Sequence, residues 1–225
     1  MFNLKPRFRD KLKNIAKEMP DVLKIPLRKV YLYFLKIKYF LFGRPVKKVE
    51  TYKAKERRIK EGFFNKYCKG KGLDIGYGGD LLADNCIGWD FENGDAHYLK
   101  GIPDMEYDFA YSSHTLEHMK DLELSLKNWW RVIKKGGFLI LYLPHRDLYE
   151  KKRTLPSRWN SDHKHFFLPD RDEEPDTMGI LPLFRRTLSD YNVIYLKECS
   201  DGFTITDPEI HSDGEYSIEV VLQKI

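Results

Sequence analysis

Three short stretches carry residue types at spacings that suggest chemistry. In "GLDIGYGGD", residues 72–80, an apolar run ends at Asp74, and Gly76, Gly78 and Gly79 follow. Glycine reaches positive φ and lets a ligand approach the backbone, so a strand running into such a turn has the form of a nucleotide cradle. The dinucleotide fingerprint is not met, because Asp80 puts an acid where pyrophosphate would lie. No Gly-Lys-Ser/Thr closes a P-loop either. An acid at the strand end followed by Gly-x-Gly suits a nucleoside without phosphates. The second stretch, "SSHTLEH" (112–118), sets two histidines and an acid directly after an apolar run. The third, "PHRDLYEKKRTLPSRWNSDHKHFFLPD" (144–170), gathers histidines, arginines, acids and aromatics with little periodicity, a density unusual in a mere connection.

These stretches need a scaffold, and the hydrophobic pattern supplies one. Short apolar runs at 72–77, 86–90, 107–113 and 136–144 read as buried strands, with a Leu- and Trp-rich helix over 121–134. A helix near 180–190 precedes two more strands, 192–198 and 216–224. Strands alternating with helices indicate a parallel sheet, and the last two strands, lacking a helix between them, pair as an antiparallel hairpin. All three chemical stretches then follow strand carboxyl ends, where α/β folds place their ligands. Asp90, closing the strand after Asp74, is placed to accept both hydroxyls of a ribose. Asp95-Ala96 lies in the next loop, where an acid can accept from an adenine amine.

Ahead of this body the chain reads as helices. Leu4, Phe8, Leu12, Ile15 and Met19 recur at helical spacing up to Pro20-Asp21. Leu23, Leu27, Val30, Phe34, Ile37 and Leu41 follow until Gly43-Arg44-Pro45. A third amphipathic helix is expected over 46–67. The net charge of +5 conceals an asymmetry: residues 1–60 hold 19 Lys/Arg against 5 Asp/Glu, and the remainder 20 against 29. A basic arm on an acidic body favours anionic surfaces. Cys68, Cys86 and Cys199 are odd in number and widely spaced, which argues against a disulfide framework and a zinc site. With neither a signal-peptide core nor an apolar run long enough to span a membrane, the expected location is cytoplasmic.

Taken in order, Asp74-x-Gly76-x-Gly78, Asp90, Asp95-Ala96, "SSHTLEHM" and "RVIKKGGFLILYLP" resemble the class I S-adenosylmethionine-dependent methyltransferases of the small-molecule, type 11-like kind. The resemblance covers residues 60–225. It implies a Rossmann-like, doubly wound, mostly parallel seven-stranded sheet with an antiparallel C-terminal hairpin. The helical arm would be residues 1–45 and the methyltransferase domain 46–225. It also implies that Asp74, Gly76 and Gly78 line the methionine part of the cofactor, that Asp90 holds the ribose, and that Asp95 and Ala96 flank the adenine. Ser112, Ser113 and His114 would close over it. One departure stands out: where the family has a full helix after the glycine turn, only "DLLADN" is available, so that helix must shrink to about one turn.

Methyl transfer from a sulfonium needs alignment of nucleophile, methyl and sulfur, and for an alcohol the removal of a proton. His145, at the tip of the 136–144 strand, is the first candidate for the base and His163 the second, with Asp147 or Asp162 orienting either. His118 reads as structural. Arg146, Arg153 and Arg158 could clamp an anionic group, Tyr149 and Trp159 offer flat faces to a sugar ring, and His165 completes the substrate set. His163-x-His165 beside Asp162 has a metal-site look, but a hydrogen-bonded loop is the preferred reading, so no metal is assigned. The 145–165 stretch also resembles methyltransferases of bacterial surface-polysaccharide assembly, which implies a small-molecule or glycan acceptor. The arm, residues 1–43, would then be a membrane-surface anchor at the cytoplasmic face. The alternatives are an RNA methyltransferase gripping phosphates with the arm, made less favoured by the absence of base-methylase motifs, and a non-catalytic partner subunit.

Overall fold

The computed structural model describes residues 50–225, so the expected helices of residues 1–43 and the arm as a whole lie outside the described residues. The main sheet is built from β1 (Gly72–Ile75), β2 (Cys86–Trp89), β3 (Tyr107–Ser113), β4 (Ile133–Pro144), β7 (Tyr191–Cys199) and β8 (Ser217–Lys224), in the order β2-β1-β3-β4-β8-β7. The first four strands are parallel. β8 runs antiparallel between β4 and β7, as the missing intervening helix required. This is a mixed α/β, Rossmann-like methyltransferase fold. The sheet has six strands among the described residues where the resemblance implied seven. Between β2 and β3 the chain, rich in Gly and Asp, forms turns instead, with Asp95 O accepting from Tyr98 N and Leu99 N.

Each face of the sheet is covered. On one, Leu73, Ile75, Leu139, Leu141 and Leu143 pack with α4 (Leu122–Arg131) and α5 (Ile180–Thr187), burying Leu126, Trp129, Leu183 and Phe184. Asp121 caps α4 by accepting from Leu124 N at 2.9 Å. On the other face Phe109, Tyr111, Ile140 and Tyr142 meet Ala54 and Phe63. The helix expected over 46–67 is broken there into α1 (Glu50–Lys53), α2 (Lys55–Lys60) and α3 (Phe63–Tyr67), with Gly62 at φ 66 before the last piece. The break lets α2 turn Arg57 and Arg58 inward, onto Glu215 and Glu219.

Two local expectations change. Residues 80–85 form only turns, so the shortened helix after the glycine turn is absent altogether. The long 145–176 stretch is not an irregular loop throughout. It opens on a π-helical turn (Arg146–Glu150) and contributes β5 (Phe166–Leu168), which pairs in parallel with β6 (Thr177–Gly179). A bridge between His145 and Phe167 joins that small sheet to the end of β4. Among the described residues no helix is long and apolar enough to cross a membrane.

Candidate active site

The glycine turn is held from two sides. Gly76 N donates to Trp89 O at 2.7 Å, and the Asp90 carboxylate accepts from Gly78 N at 3.2 Å and from Phe91 N at 2.7 Å. Gly76, at φ 77, is required sterically as well: a Cβ there would meet Thr115 Oγ1 at 2.1 Å. A Cβ on Gly79 would find nothing within 4 Å, so the turn presents bare backbone to open space. Asp74 is buried behind it and accepts from Leu82 N at 2.7 Å, fixing the segment that replaced the helix. Burial pushes its carboxyl up to about 7. Asp95 takes the ring and backbone N–H of His97, whose Nε2 accepts from Lys120 N, while Ala96 O accepts from the buried Trp129 indole. Ser112 Oγ donates to Ile75 O, binding the end of β3 to the end of β1. Backbone cradle, Asp90 carboxylate and the 95–97 loop thus border one crevice at the strand carboxyl ends, an arrangement that fits a nucleoside.

Immediately beyond Thr115 lies a cluster whose centre is Glu117. Ser113 ends β3, His114 follows at φ 48 with its N–H on Tyr142 O, and Leu116–His118 form a 3-10 turn. Glu117 is fully buried, and neither carboxylate oxygen has a hydrogen-bond partner among the described residues. Three histidines surround its Oε1: His114 Nδ1 at 3.6 Å, His163 Nε2 at 3.8 Å and His118 Nε2 at 3.9 Å. Lys164 N donates to Glu117 O at 2.7 Å, which brings the 160–165 loop, and with it His163, onto the 3-10 turn. His163 Nδ1 pairs with Glu150 Oε1 at 2.7 Å, and Ser157 Oγ donates to the other Glu150 oxygen. His118 Nδ1 lies 3.2 Å from Asp162, and His114 Nε2 is 3.0 Å from Ser217 Oγ. Burial, with Glu150 adding, pushes Glu117 up to about 8. Burial pushes His114 down to about 3 and lowers His118, with neighbouring histidines reinforcing both.

The other expected residues fall elsewhere. His145 is buried, its Nδ1 accepting from Asp147 N at 3.1 Å and its Nε2 3.2 Å from Glu198. With one nitrogen accepting and the other facing a carboxylate, the ring has no free lone pair, so the structure makes His145 a cap of the π-helical turn rather than a base. Burial lowers its pKa. Asp147 does not orient a histidine through its carboxylate, which pairs with Arg146 instead. The arginine clamp is not assembled: Arg146 is buried on Asp147, Glu173 and Thr177, because a buried guanidinium must have its partners, and Arg158 pairs with Glu209. Tyr149 stacks on His163 at 5.6 Å, so that face is already covered. Trp159 donates to Tyr149 O and stands against His211 at 5.1 Å. His165 leaves Nε2 without a partner among the described residues. Sequence reasoning missed Glu117 and Glu150. For Glu117 the signal was present in an acid flanked by Leu116 and His118, three residues after His114.

Residues 70–141 match the family model of a methyltransferase domain. No curated protein matches the chain. Among solved structures, one from work on the conversion of a disulfide bond into a thioacetal group during echinomycin biosynthesis shares 14% identity over 76% of this chain and 80% of its own, at a TM-score of 0.51. An S-adenosylmethionine-dependent methyltransferase from Clostridium acetobutylicum shares 14% over 87% and 99%, at 0.49. One from Thermotoga maritima, described as a possible histamine N-methyltransferase, shares 17% over 76% and 98%, at 0.42. The domain match runs from two residues before β1 into β4 and so spans the strands whose ends frame the crevice. It places the chain among the class I S-adenosylmethionine-dependent methyltransferases, with S-adenosylmethionine as cofactor.

Proposed function

We propose that the chain methylates a hydroxyl of a small polar acceptor, a sugar in glycan or polysaccharide biosynthesis, in the crevice above β3 and β4. The observation that supports this reading is His163. Its Nδ1 is anchored on Glu150, its Nε2 is turned inward, and its loop is tied to the 3-10 turn that touches the glycine turn. Bound S-adenosylmethionine supplies a methyl on a sulfonium, and as the acceptor oxygen bonds to that carbon the sulfur–carbon pair returns to sulfur. The chain's own residues position the acceptor and deal with its proton. Gly76, Gly78, Asp74, Asp90, Asp95, Ala96, Ser112, Ser113 and His114 form the cofactor side. The Glu117 cluster, with Tyr149, Trp159 and His165, forms the acceptor side. Residues 1–45 act as an arm that holds the 46–225 domain to the anionic cytoplasmic face of a membrane, where lipid-linked acceptors reside.

The test is a labelled-methyl screen against nucleotide sugars, lipid-linked glycans and total RNA. On the substrate so found, His163→Ala should lose about 100-fold or more in turnover, within the range of an acid–base group, while His145→Ala should lose far less. Equal losses, or none at His163, would overturn the role given to the cluster, and labelling of RNA alone would overturn the sugar reading.

A further inference from the structure

The centre of the cluster is an anomaly that methyl transfer alone does not explain. A carboxylate with no exposure and two orphan oxygens costs free energy, and folded chains seldom retain such a group without a partner. Around it the histidines are arranged in a specific way. His163 directs Nδ1 to Glu150 and His118 directs Nδ1 to Asp162, and each leaves Nε2 facing Glu117 Oε1. Metal-binding histidines commonly anchor one ring nitrogen on a carboxylate in this way, which fixes the tautomer and frees the other nitrogen's lone pair.

The geometry points to a site for one divalent first-row transition-metal cation held by Glu117, His118 Nε2 and His163 Nε2. Their ligand atoms all lie within 4.8 Å of one another. Bonds of about 2.0–2.2 Å to a shared cation hold two ligands no more than about 4.2 Å apart. The separations from Glu117 already satisfy that limit, and the half-exposed His118 ring can close the remainder. Two imidazoles with one carboxylate favour a transition metal over magnesium, whose preference is for oxygen alone. The three acids Glu117, Glu150 and Asp162 supply the negative charge that attracts a cation, and three protein ligands leave coordination positions for an acceptor. On the hydroxyl-methylation reading, on which this role rests, a cation here binds the acceptor oxygen, lowers the pKa of its hydroxyl and sends the proton to water.

The experiment uses the untagged full-length chain, stripped with chelator and titrated with Co2+ while visible absorption is followed. Wild type should take up one Co2+ per chain, with bands that Zn2+ removes and Mg2+ does not. Glu117→Gln and His163→Ala should each weaken uptake by about 100-fold or more, and Glu150→Gln, which touches only the outer nitrogen of His163, by about 10–100-fold. Binding of S-adenosylhomocysteine by each variant serves as the check of folding. A wild type that binds S-adenosylhomocysteine but no Co2+ overturns the cation site and leaves the methyltransferase reading standing. Equal Co2+ uptake by wild type and Glu117→Gln also overturns it. One-equivalent uptake lost in Glu117→Gln supports the site, even if no sugar is methylated and the acceptor reading fails.

Discussion

Asp74 ends a strand buried along its whole length, and its carboxylate accepts from Leu82 N. Because burial pushes its pKa to about 7, the folded chain holds a proton there that the unfolded chain releases near pH 4. Stability from this group is therefore fully present below about pH 4 and lost as pH rises toward 7. Asp74→Asn keeps an acceptor for Leu82 N and removes the charge. In the cofactor-free protein it should be more stable than wild type by about 2–4 kcal/mol at pH 8, converging at pH 4, as measured by urea unfolding. A constant difference across that range would show that Asp74 ionises freely. At this scale the sequence spoke unevenly. Gly76 and Asp90 were legible because backbone conformation and strand-end position constrain them locally. Glu117 was not, because its meaning comes from His163, 46 residues away, brought in by the Lys164–Glu117 backbone bond. His145 misled for the complementary reason: a strand tip predicts position, and only the fold reveals that both its nitrogens are engaged.

The strands were read nearly to the residue, since β1, β3 and β8 are short apolar runs whose burial dominates any local preference. The helix over 46–67 was read as one element because amphipathic periodicity does not register where a chain bends to bury an arginine. Arg58 has no exposed surface. It pairs with the equally buried Glu219 of β8, donates to Tyr111 Oη and lies 4.9 Å from the Tyr142 ring centroid. Arg57 engages Glu215 alongside it. The available signal was the acid at 219, interrupting an otherwise apolar strand. Removing one partner strands the other charge, so Arg58→Met should cost about 3–5 kcal/mol. Adding Glu219→Gln should return a substantial part of that loss, since the two changes share one contact. Chemical denaturation of the four proteins of this cycle gives the coupling. A double variant no more stable than Arg58→Met would mean that the pair does not hold α2 to the sheet.

Charge is distributed along the molecule in a way that neither fold nor site requires. Through residue 49 the chain holds 14 Lys/Arg and 3 Asp/Glu, whereas the described residues carry the acidic excess. The described part also withdraws cations from any surface role, since Arg57, Arg58 and Arg146 are buried on carboxylates. Attraction to an anionic surface must therefore come chiefly from the arm. Each basic residue near such a surface contributes about 1 kcal/mol, and the interleaved Tyr, Phe and Leu add burial at the headgroup boundary. The full chain should sediment with vesicles of phosphatidylcholine and phosphatidylserine but not with phosphatidylcholine alone. Raising salt from about 0.1 M to about 1 M, which shortens the screening length from ~10 Å to ~3 Å, should release most of it. A chain starting at Val46 should lose this binding yet still bind S-adenosylhomocysteine, because the glycine turn and Asp90 lie wholly within the 46–225 domain. Retained sedimentation by that shorter chain would remove the anchoring role. Tighter binding of the full chain to structured RNA than to the vesicles would reassign the same charges to phosphate recognition.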